Sequence, residues 1–98
     1  MKPGAYLHAA SAEMERSAVW YEKRGEGLGL RLHAAIKEAE VFISKNPNLG
    51  TPHRRNTRKW LVPGFPYSLI YPEEAQRILI CAVANWKRRP GYWLRRIR

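Results

Sequence analysis

Apolar residues recur at helical spacing in the first half of the chain, and most clearly after Gly27. Apolar side chains there line one face at the intervals of an α-helix: Leu28, Leu32, Ala35, Ile36, Ala39, Phe42 and Ile43. Charged residues occupy the opposite face. We expect this helix to end at Asn46, because the residue before a proline is driven out of the helical region.

A weaker helical pattern precedes this one, with apolar residues at positions i, i+4 and i+7: Met14, Ala18 and Tyr21. Ser11 stands where an N-cap residue belongs, and Glu13 and Glu15 then fall in the first turn. We interpret both glutamates as solvated charges that complement the helix dipole. The break Arg24–Gly27 is so short that the two helices are predicted to form an antiparallel hairpin.

After Leu49 the pattern changes to short apolar runs that are separated by turn residues. Three strands are predicted, and their short connections make neighbouring strands antiparallel: Arg55–Val62, Phe65–Tyr71 and Gln76–Ala84. The piece Ala5–His8 would add a short edge strand. The predicted fold class is therefore α+β, with an N-terminal antiparallel helical hairpin packed on a small antiparallel β-sheet.

Length and composition place these elements in one domain that spans residues 1–98. An apolar content of 45% is typical of a globular chain, and no run approaches the roughly 18 apolar residues of a membrane span. The first residues lack the apolar core of a signal peptide, so we expect a cytoplasmic protein without a membrane partner. The single cysteine, Cys81, lies in an apolar strand and is predicted to be a small buried hydrophobe.

Positive charge is concentrated in the second half of the chain. The net charge is +10, yet residues 1–49 hold seven Lys/Arg against six Glu, a net of +1. Residues 50–98 hold eleven Lys/Arg against two Glu, a net of +9, and aspartate is absent throughout. A basic excess in one half indicates a partner that is either a nucleic acid or an acidic protein.

The densest part of this charge follows the last predicted strand. Residues 85–98, which we call the tail, carry six basic side chains, three large aromatic ones and no acid. The apolar strand before them is typical of the middle of a sheet, so it fixes this basic C-terminal tail at the sheet's end. The tail thus combines a rigid attachment to the sheet with a cationic, aromatic contact surface.

The candidate site residues are cations and aromatic side chains of this half. Those predicted to contact a target or a phosphate are Arg54, Arg55, Arg58, Lys59, Arg77, Lys87, Arg88, Arg89, Tyr92 and Trp93. RNA cleavage would need a base, an acid and cations, and the candidates for it are Arg58, Arg88 and Tyr92. His53 is the one histidine near this half, and on a proline-flanked loop we interpret it as a solvated side chain.

Other kinds of chemistry find no support in the residue pattern. One cysteine and three scattered histidines give no metal-ligand spacing, so neither a metal nor a cofactor is predicted. A nucleophilic triad is not predicted either, because the chain has no aspartate and no motif around its serines.

The large aromatic side chains fall into two groups. Four of them are predicted to be core residues: Trp20, Tyr21, Tyr67 and Tyr71. Trp86 and Trp93 fit two positions equally well, since each would either seal the small core or stand exposed among arginines as a contact.

Several short pieces occur in one order along almost the whole chain: Ala12–Met14, Trp20–Glu22, Gly27–Gly29, Asn46–Pro47, Phe65–Tyr71, Ala82–Ala84 and Arg88–Trp93. In that order they resemble the RelE/ParE family of type II toxin–antitoxin toxins. Each piece is weak alone, but unrelated helices and strands would not share the same turns and aromatics. The resemblance implies a helical hairpin over a small antiparallel sheet, in agreement with the hydrophobic pattern.

The resemblance also implies a function. Toxins of this family arrest bacterial growth and are silenced by a cognate antitoxin, which commonly wraps the toxin with an amphipathic, often acidic segment. ParE-type members, the plasmid-stabilisation type, bind DNA gyrase, whereas RelE-type members cleave messenger RNA on the ribosome. Three pieces look more like the ParE type: Trp20–Glu22, Phe65–Tyr67 and Pro90–Trp93.

Asn85 bears on the choice between these mechanisms. Relatives with this tail often have histidine at its position, and asparagine cannot take up a proton near neutral pH. The favoured expectation is therefore a ParE-like toxin that binds gyrase and is not an enzyme. An mRNA endonuclease is the first alternative, and a degenerate, non-toxic antitoxin-binding module is the second.

Overall fold

A short strand precedes two helices, and the remaining strands and the tail follow them. In the computed structural model, which describes residues 1–97, the α-helices are α1 (His8–Glu22) and α2 (Leu28–Lys45). The strands are β1 (Gly4–Tyr6), β2 (Thr51–His53), β3 (Thr57–Leu61), β4 (Tyr67–Pro72), β5 (Ile78–Ile80) and β6 (Ala82–Asn85). Single 3-10 turns lie at Arg54–Asn56 and Leu94–Arg96. Neither α-helix combines the length and the hydropathy of a membrane-spanning segment. Arg98, the last residue of the tail, lies outside the described residues.

Within residues 1–97, an antiparallel sheet has the strand order β2-β3-β4-β6, and β1 pairs in parallel with β5. Cys81 separates β5 from β6, but its N–H donates to the carbonyl of Ile70 at 2.8 Å, so both pieces run along β4. Further along, Leu69 lies opposite Val83. The predicted α+β fold class, a helical hairpin with an antiparallel sheet, is confirmed.

Helix α1 begins earlier than the sequence predicted. Ser11 is not its N-cap, because the helix starts at His8 and Leu7 takes the cap position without a side-chain hydrogen bond. The Ser11 N–H donates instead to the carbonyl of Leu7 at 3.0 Å. The pairing of β1 with β5 leads the chain straight into the helix, where Ala10 is fully buried in the core. Burial of this turn outweighs a side-chain cap, which contributes about 1 kcal/mol.

The predicted strand Arg55–Val62 is shorter in the structure, and an extra strand precedes it. Arg55 has a left-handed backbone (φ 57°) in the 3-10 turn, so β3 begins only at Thr57. The segment before the turn forms β2, which pairs with β3 at the edge of the sheet. Pro52 is accommodated in β2 because an edge strand tolerates the missing N–H. His53 therefore lies in a strand and not in a loop.

The main core lies between the helices and one face of the sheet. Leu32, Ile36 and Ile43 of α2 are fully buried. They belong to one cluster with Leu69 and Ile80 of the strands, which are buried to the same extent. Most of the apolar stripe of α2 thus faces the sheet, as its helical spacing predicted, whereas 40% of the surface of Phe42 is exposed.

A smaller core lies on the opposite face of the sheet. Ile70 alternates with Leu69 along β4 and so faces away from the helices. It packs with Cys81, Ala82 and the tail residue Trp93, each at most 2% exposed. Cys81 therefore has the buried position that the sequence predicted. The tail is part of the folded domain, because it covers this second face.

The aromatic predictions have different outcomes. Tyr67 and Tyr71 are core residues as predicted, with 5% and 1% of their surfaces exposed. Tyr21 is partly buried against the same core. Trp20 was wrongly predicted to be a core residue, because 49% of its surface is exposed on α1.

Candidate functional site

The tail turns back over the second face of the sheet after β6. The Arg88 N–H donates to the carbonyl of Asn85 at 3.0 Å, which closes the first turn. Gly91 has a left-handed backbone (φ 76°), which favours glycine over other residues, and it lies against the guanidinium of Arg54. These two constraints return the chain to the sheet, so that Trp93 is buried in the smaller core.

A buried carboxylate of α1 holds the tail in this position. Glu13 is only 5% exposed, and its Oε1 accepts a hydrogen bond from the Val83 N–H at 3.0 Å. The Tyr92 hydroxyl donates to Oε2 at 2.5 Å. Arg96 donates to both oxygens, from Nη1 at 2.8 Å and from Nη2 at 3.1 Å. The interpretation of Glu13 as a solvated dipole partner is wrong, because the earlier start at His8 places it in the second turn, on the buried side.

Tyr92 is engaged through both its hydroxyl and its ring. Burial, followed by the hydrogen bond to Glu13, raises the pKa of Tyr92 above its ordinary value. The guanidinium carbon of Arg88 lies 3.9 Å from the centre of the Tyr92 ring, within cation–π distance. A hydroxyl that keeps its proton this firmly, and already donates it to a carboxylate, is poorly placed to act as a general acid.

A groove of about 260 Å³, which we call the tail groove, opens between the tail and the second face of the sheet. His53 and Lys59 line it from the sheet, and residues between Trp86 and Trp93 line it from the tail. Burial lowers the pKa of His53, and the positive charges of Lys59 and Arg54 lower it further. The imidazole is therefore neutral near neutral pH.

Two of the predicted site cations are held elsewhere by internal partners. The Arg58 Nε lies 2.6 Å from Glu73 Oε1, an ionic contact without hydrogen-bond geometry. The Arg58 Nη1 donates to the carbonyl of Gly50 at 2.8 Å. Arg77 pairs with Glu74 at 2.9 Å. Both carboxylates belong to the connection between β4 and β5, so the structure does not bring these two arginines together with the tail cations.

Of the other predicted cations, Lys59, Arg88 and Arg89 line the tail groove, and Arg54 lies against Gly91 at its edge. No carboxylate within residues 1–97 forms an ion pair with five of them: Arg54, Arg55, Lys59, Lys87 and Arg89. Arg88 lies 3.9 Å from Glu13 Oε2, yet 52% of its side chain is exposed. The tail therefore presents positive charge that a partner can reach.

An apolar groove lies between α1, the turn that joins β3 to β4, and the start of the tail. It consists of two hollows of about 460 Å³ each, which share Pro66. Trp20 lines one hollow and Trp86 the other, with 49% and 58% of their surfaces exposed. Arg16 and Lys87 lie beside Trp20, and no carboxylate of residues 1–97 lines either hollow. This surface suits an apolar partner with acidic flanks.

From the sequence, Trp20 and Glu13 were predicted in the wrong environments, although the spacing of each residue indicates the right one. Trp20 follows Met14 by six residues and therefore lies off the apolar stripe of α1. Glu13 follows Ala10 by three residues and therefore shares its buried face. The signal for Glu13 becomes clear only when the start of α1 is placed at His8, which brings Ala10 into the helix.

The sequence left open whether Trp86 and Trp93 are buried or exposed, and the structure places them differently. Trp93 lies in the core, with 2% of its surface exposed. Trp86 lies on the surface, where its Nε1 donates to Ser68 Oγ at 3.1 Å. Within residues 1–97, no cluster of His, Cys, Asp or Glu could hold a metal ion. The two grooves therefore offer cations, the exposed indoles of Trp20 and Trp86, and the imidazole of His53.

Comparison with known proteins identifies the fold. The sequence matches no protein-family model and no curated protein. A chain in the solved structure of the chromosomal ParDE toxin–antitoxin system from P. aeruginosa is similar, with a TM-score of 0.75 and 18% sequence identity. The match covers 87% of this chain and 96% of that chain. The fold thus confirms the structural resemblance that the sequence pieces indicated.

Proposed function

We propose that this chain is the toxin of a type II toxin–antitoxin pair, which arrests growth by binding an essential target and is silenced by a cognate antitoxin. The fold carries this proposal, since it is similar over nearly the whole chain to a chain of a ParDE toxin–antitoxin system. The tail adds a cationic surface on a folded domain. In line with the ParE-like sequence pieces, we propose DNA gyrase as the target and the cytoplasm as the location.

The chemistry of the tail groove favours binding over RNA cleavage. General acid–base catalysis needs one group that gives up a proton and one that takes it. The Tyr92 hydroxyl uses its proton in a hydrogen bond to Glu13, and the Asn85 side chain has no titratable group. Arg58, the third candidate for cleavage, is paired with Glu73 away from the groove. The cations that remain provide charge without acid–base chemistry.

The apolar groove fits the antitoxin that the proposal requires. An amphipathic segment would bury its apolar face on Trp20 and Trp86. Acidic residues beside that face would meet Arg16 and Lys87, which flank the groove. The net charge of +9 in residues 50–98 favours an acidic partner for the same reason. A segment bound there would also cover the start of the tail.

Expression in bacteria tests the toxin role first. Induction of the chain without an antitoxin should stop growth, and co-expression of the neighbouring reading frame should restore it. Unaffected growth, at a verified level of folded protein, would refute the toxin role. That result would favour a non-toxic antitoxin-binding module.

Purified protein tests the target. Supercoiling of relaxed plasmid by gyrase should be inhibited, while a reporter mRNA on translating ribosomes should stay intact. Lys23→Ala removes a charge at the end of α1, outside both grooves, and should inhibit as strongly as the parent. Unchanged supercoiling at saturating protein would refute gyrase as the target.

One observation favours a second candidate function, an mRNA endonuclease. The His53 imidazole lies in the tail groove, and its lowered pKa leaves it in the neutral state that a general base needs. Codon-phased cuts in the ribosome assay that disappear in His53→Ala would establish this activity. They would overturn the gyrase proposal.

A further inference from the structure

A single buried side chain connects the tail to α1 and to β6. We propose that Glu13 is a positioning residue, which holds Tyr92 and Arg96 in place and thereby sets the position of Arg88 at the tail groove. We call these contacts the Glu13 latch. The role of the tail in binding a target rests on the proposed function. The Glu13 latch does not, because it consists of contacts within the folded domain.

Both carboxylate oxygens of Glu13 are fully engaged. Oε1 accepts hydrogen bonds from the Val83 N–H and Arg96 Nη1, at 3.0 and 2.8 Å. Oε2 accepts hydrogen bonds from the Tyr92 hydroxyl and Arg96 Nη2, at 2.5 and 3.1 Å. The two bonds from Arg96 form the fork in which arginine binds a carboxylate best. Within residues 1–97, no other carboxylate pairs with a tail cation.

The latch reaches the exposed surface through Arg88. Its guanidinium carbon lies 3.9 Å from the centre of the Tyr92 ring, and its Nη1 lies 3.9 Å from Glu13 Oε2. Its side chain is nevertheless 52% exposed. Tyr92 and Glu13 together therefore place a cation that a partner can touch.

Apart from its contacts with Glu13, the tail packs in the smaller core, which makes it a separable unit. Among residues 1–97, the main core has thirteen buried members and none of them belongs to the tail. The smaller core has four buried members, of which Trp93 belongs to the tail, and three partly buried tail residues pack against them: Tyr92, Leu94 and Ile97. A buried ion pair becomes unfavourable when one partner is removed, because the other charge is left without compensation. Loss of the Glu13 charge should therefore release the tail locally while the helices and the sheet stay folded.

Backbone hydrogen exchange tests the latch without any assay of toxicity. In Glu13→Gln, the amides that close the tail turns, those of Arg88, Tyr92 and Leu94, should exchange faster than in the parent. The increase should be about tenfold or more, the factor expected for one lost hydrogen bond to a charged group. Amides of α2 and β4 should keep their parent rates. Unchanged rates in the tail, or faster exchange throughout the chain, would overturn the proposal.

Two further variants complete the test. Glu15→Gln is the matched control, because it neutralises an exposed glutamate of the same helix and should change no rate in the tail. Tyr92→Phe removes one donor and keeps the ring beneath Arg88, so it remains informative if Glu13→Gln fails to fold. Faster exchange confined to the tail in Tyr92→Phe would support the latch, and parent rates there would contradict it.

Growth arrest tests whether the position of the tail matters. At equal levels of folded protein, the variant with a released tail should arrest growth less than the parent. Full arrest with a released tail would overturn the positioning role. If the parent does not arrest growth, the proposed function fails, whereas the exchange rates still decide whether Glu13 holds the tail.

Discussion

The imidazole of His53 packs on the indole of Trp93, with the ring centroids 5.6 Å apart and the planes inclined by 39°. This contact joins the edge strand β2 to the tail, although the two residues are far apart in the sequence. It also partly buries His53 beside Lys59 and Arg54, whose charges oppose protonation of the imidazole. The tail groove is therefore built from two distant parts of the chain.

His53 should titrate below its ordinary pKa of 6.5. Burial is the larger cause, and the charge of Lys59 adds to it, so Lys59→Gln should raise the pKa part of the way back. Lys23→Gln, at the end of α1 outside the groove, should leave it unchanged. NMR titration of the imidazole protons measures the pKa of His53 in the parent and in both variants. A His53 pKa at or above 6.5 in the parent would contradict its position beside the cations.

The same shift predicts how stability changes with pH. Because the pKa of His53 is lower in the folded state, its contribution to stability is present above the unfolded value of 6.5 and is lost as the pH falls through the folded value. When the pH is lowered from above 6.5 to below the folded pKa of His53, the urea midpoint should fall less in His53→Gln than in the parent. An identical fall in both proteins would show that the imidazole titrates normally.

Trp93 and Trp86 should differ in what they contribute to stability. Trp93 is 2% exposed, so Trp93→Ala should lower the free energy of unfolding by about 3–5 kcal/mol. Trp86 is 58% exposed and its indole donates to Ser68, so Trp86→Ala should cost about 1 kcal/mol or less. Urea denaturation at constant pH measures both losses. Equal losses would mean that Trp86 also packs in the core in solution.

Arg88 and Arg89 should contribute to target binding more than to stability. Their combined replacement, Arg88→Ala/Arg89→Ala, should slow association with an acidic target by about tenfold or more, because clustered charge steers encounter. The urea midpoint should change little, since both side chains are exposed. The matched control Arg31→Ala/Lys45→Ala removes the same charge from α2 and should associate with the target at the parent rate. A large loss of stability in the tail variant would show that the pair is structural.

Cys81 should be unreactive in the folded protein. Burial raises the pKa of its thiol from 9.0 to about 12, so very little thiolate is present near neutral pH. A chromogenic disulfide reagent should label the denatured chain fully and the native chain at most slowly. Rapid labelling of the native protein would show that the strand break at Cys81 opens readily.

The helical hairpin and the central strands could be predicted because their signals are local. The apolar stripe of α2 and the proline after Asn46 predict that this helix ends at Asn46. In the structure it ends at Lys45, one residue earlier. Strand β2 could not be predicted in the same way. Pro52 argues against it locally, and it forms because β3 offers a free edge to pair with. The break at Cys81 likewise depends on pairing with neighbours.

The candidate site was predicted in composition but not in arrangement. Arg88, Arg89 and Lys59 lie at the tail groove, as a basic half predicts. Arg58 was grouped with them because of its charge, yet a carboxylate from another connection holds it. Residue type alone does not distinguish a cation that faces solvent from one that is paired inside.

The sequence by itself determined the helices, the main strands, the excess of positive charge in the second half and the make-up of the tail. These follow from spacing and counts along the chain, which need no knowledge of distant contacts. Only the tertiary structure decided which charges are free and how the tail is held. Glu13 lies on α1, but its donors come from β6 and from the tail, and a carboxylate is buried only when such partners surround it.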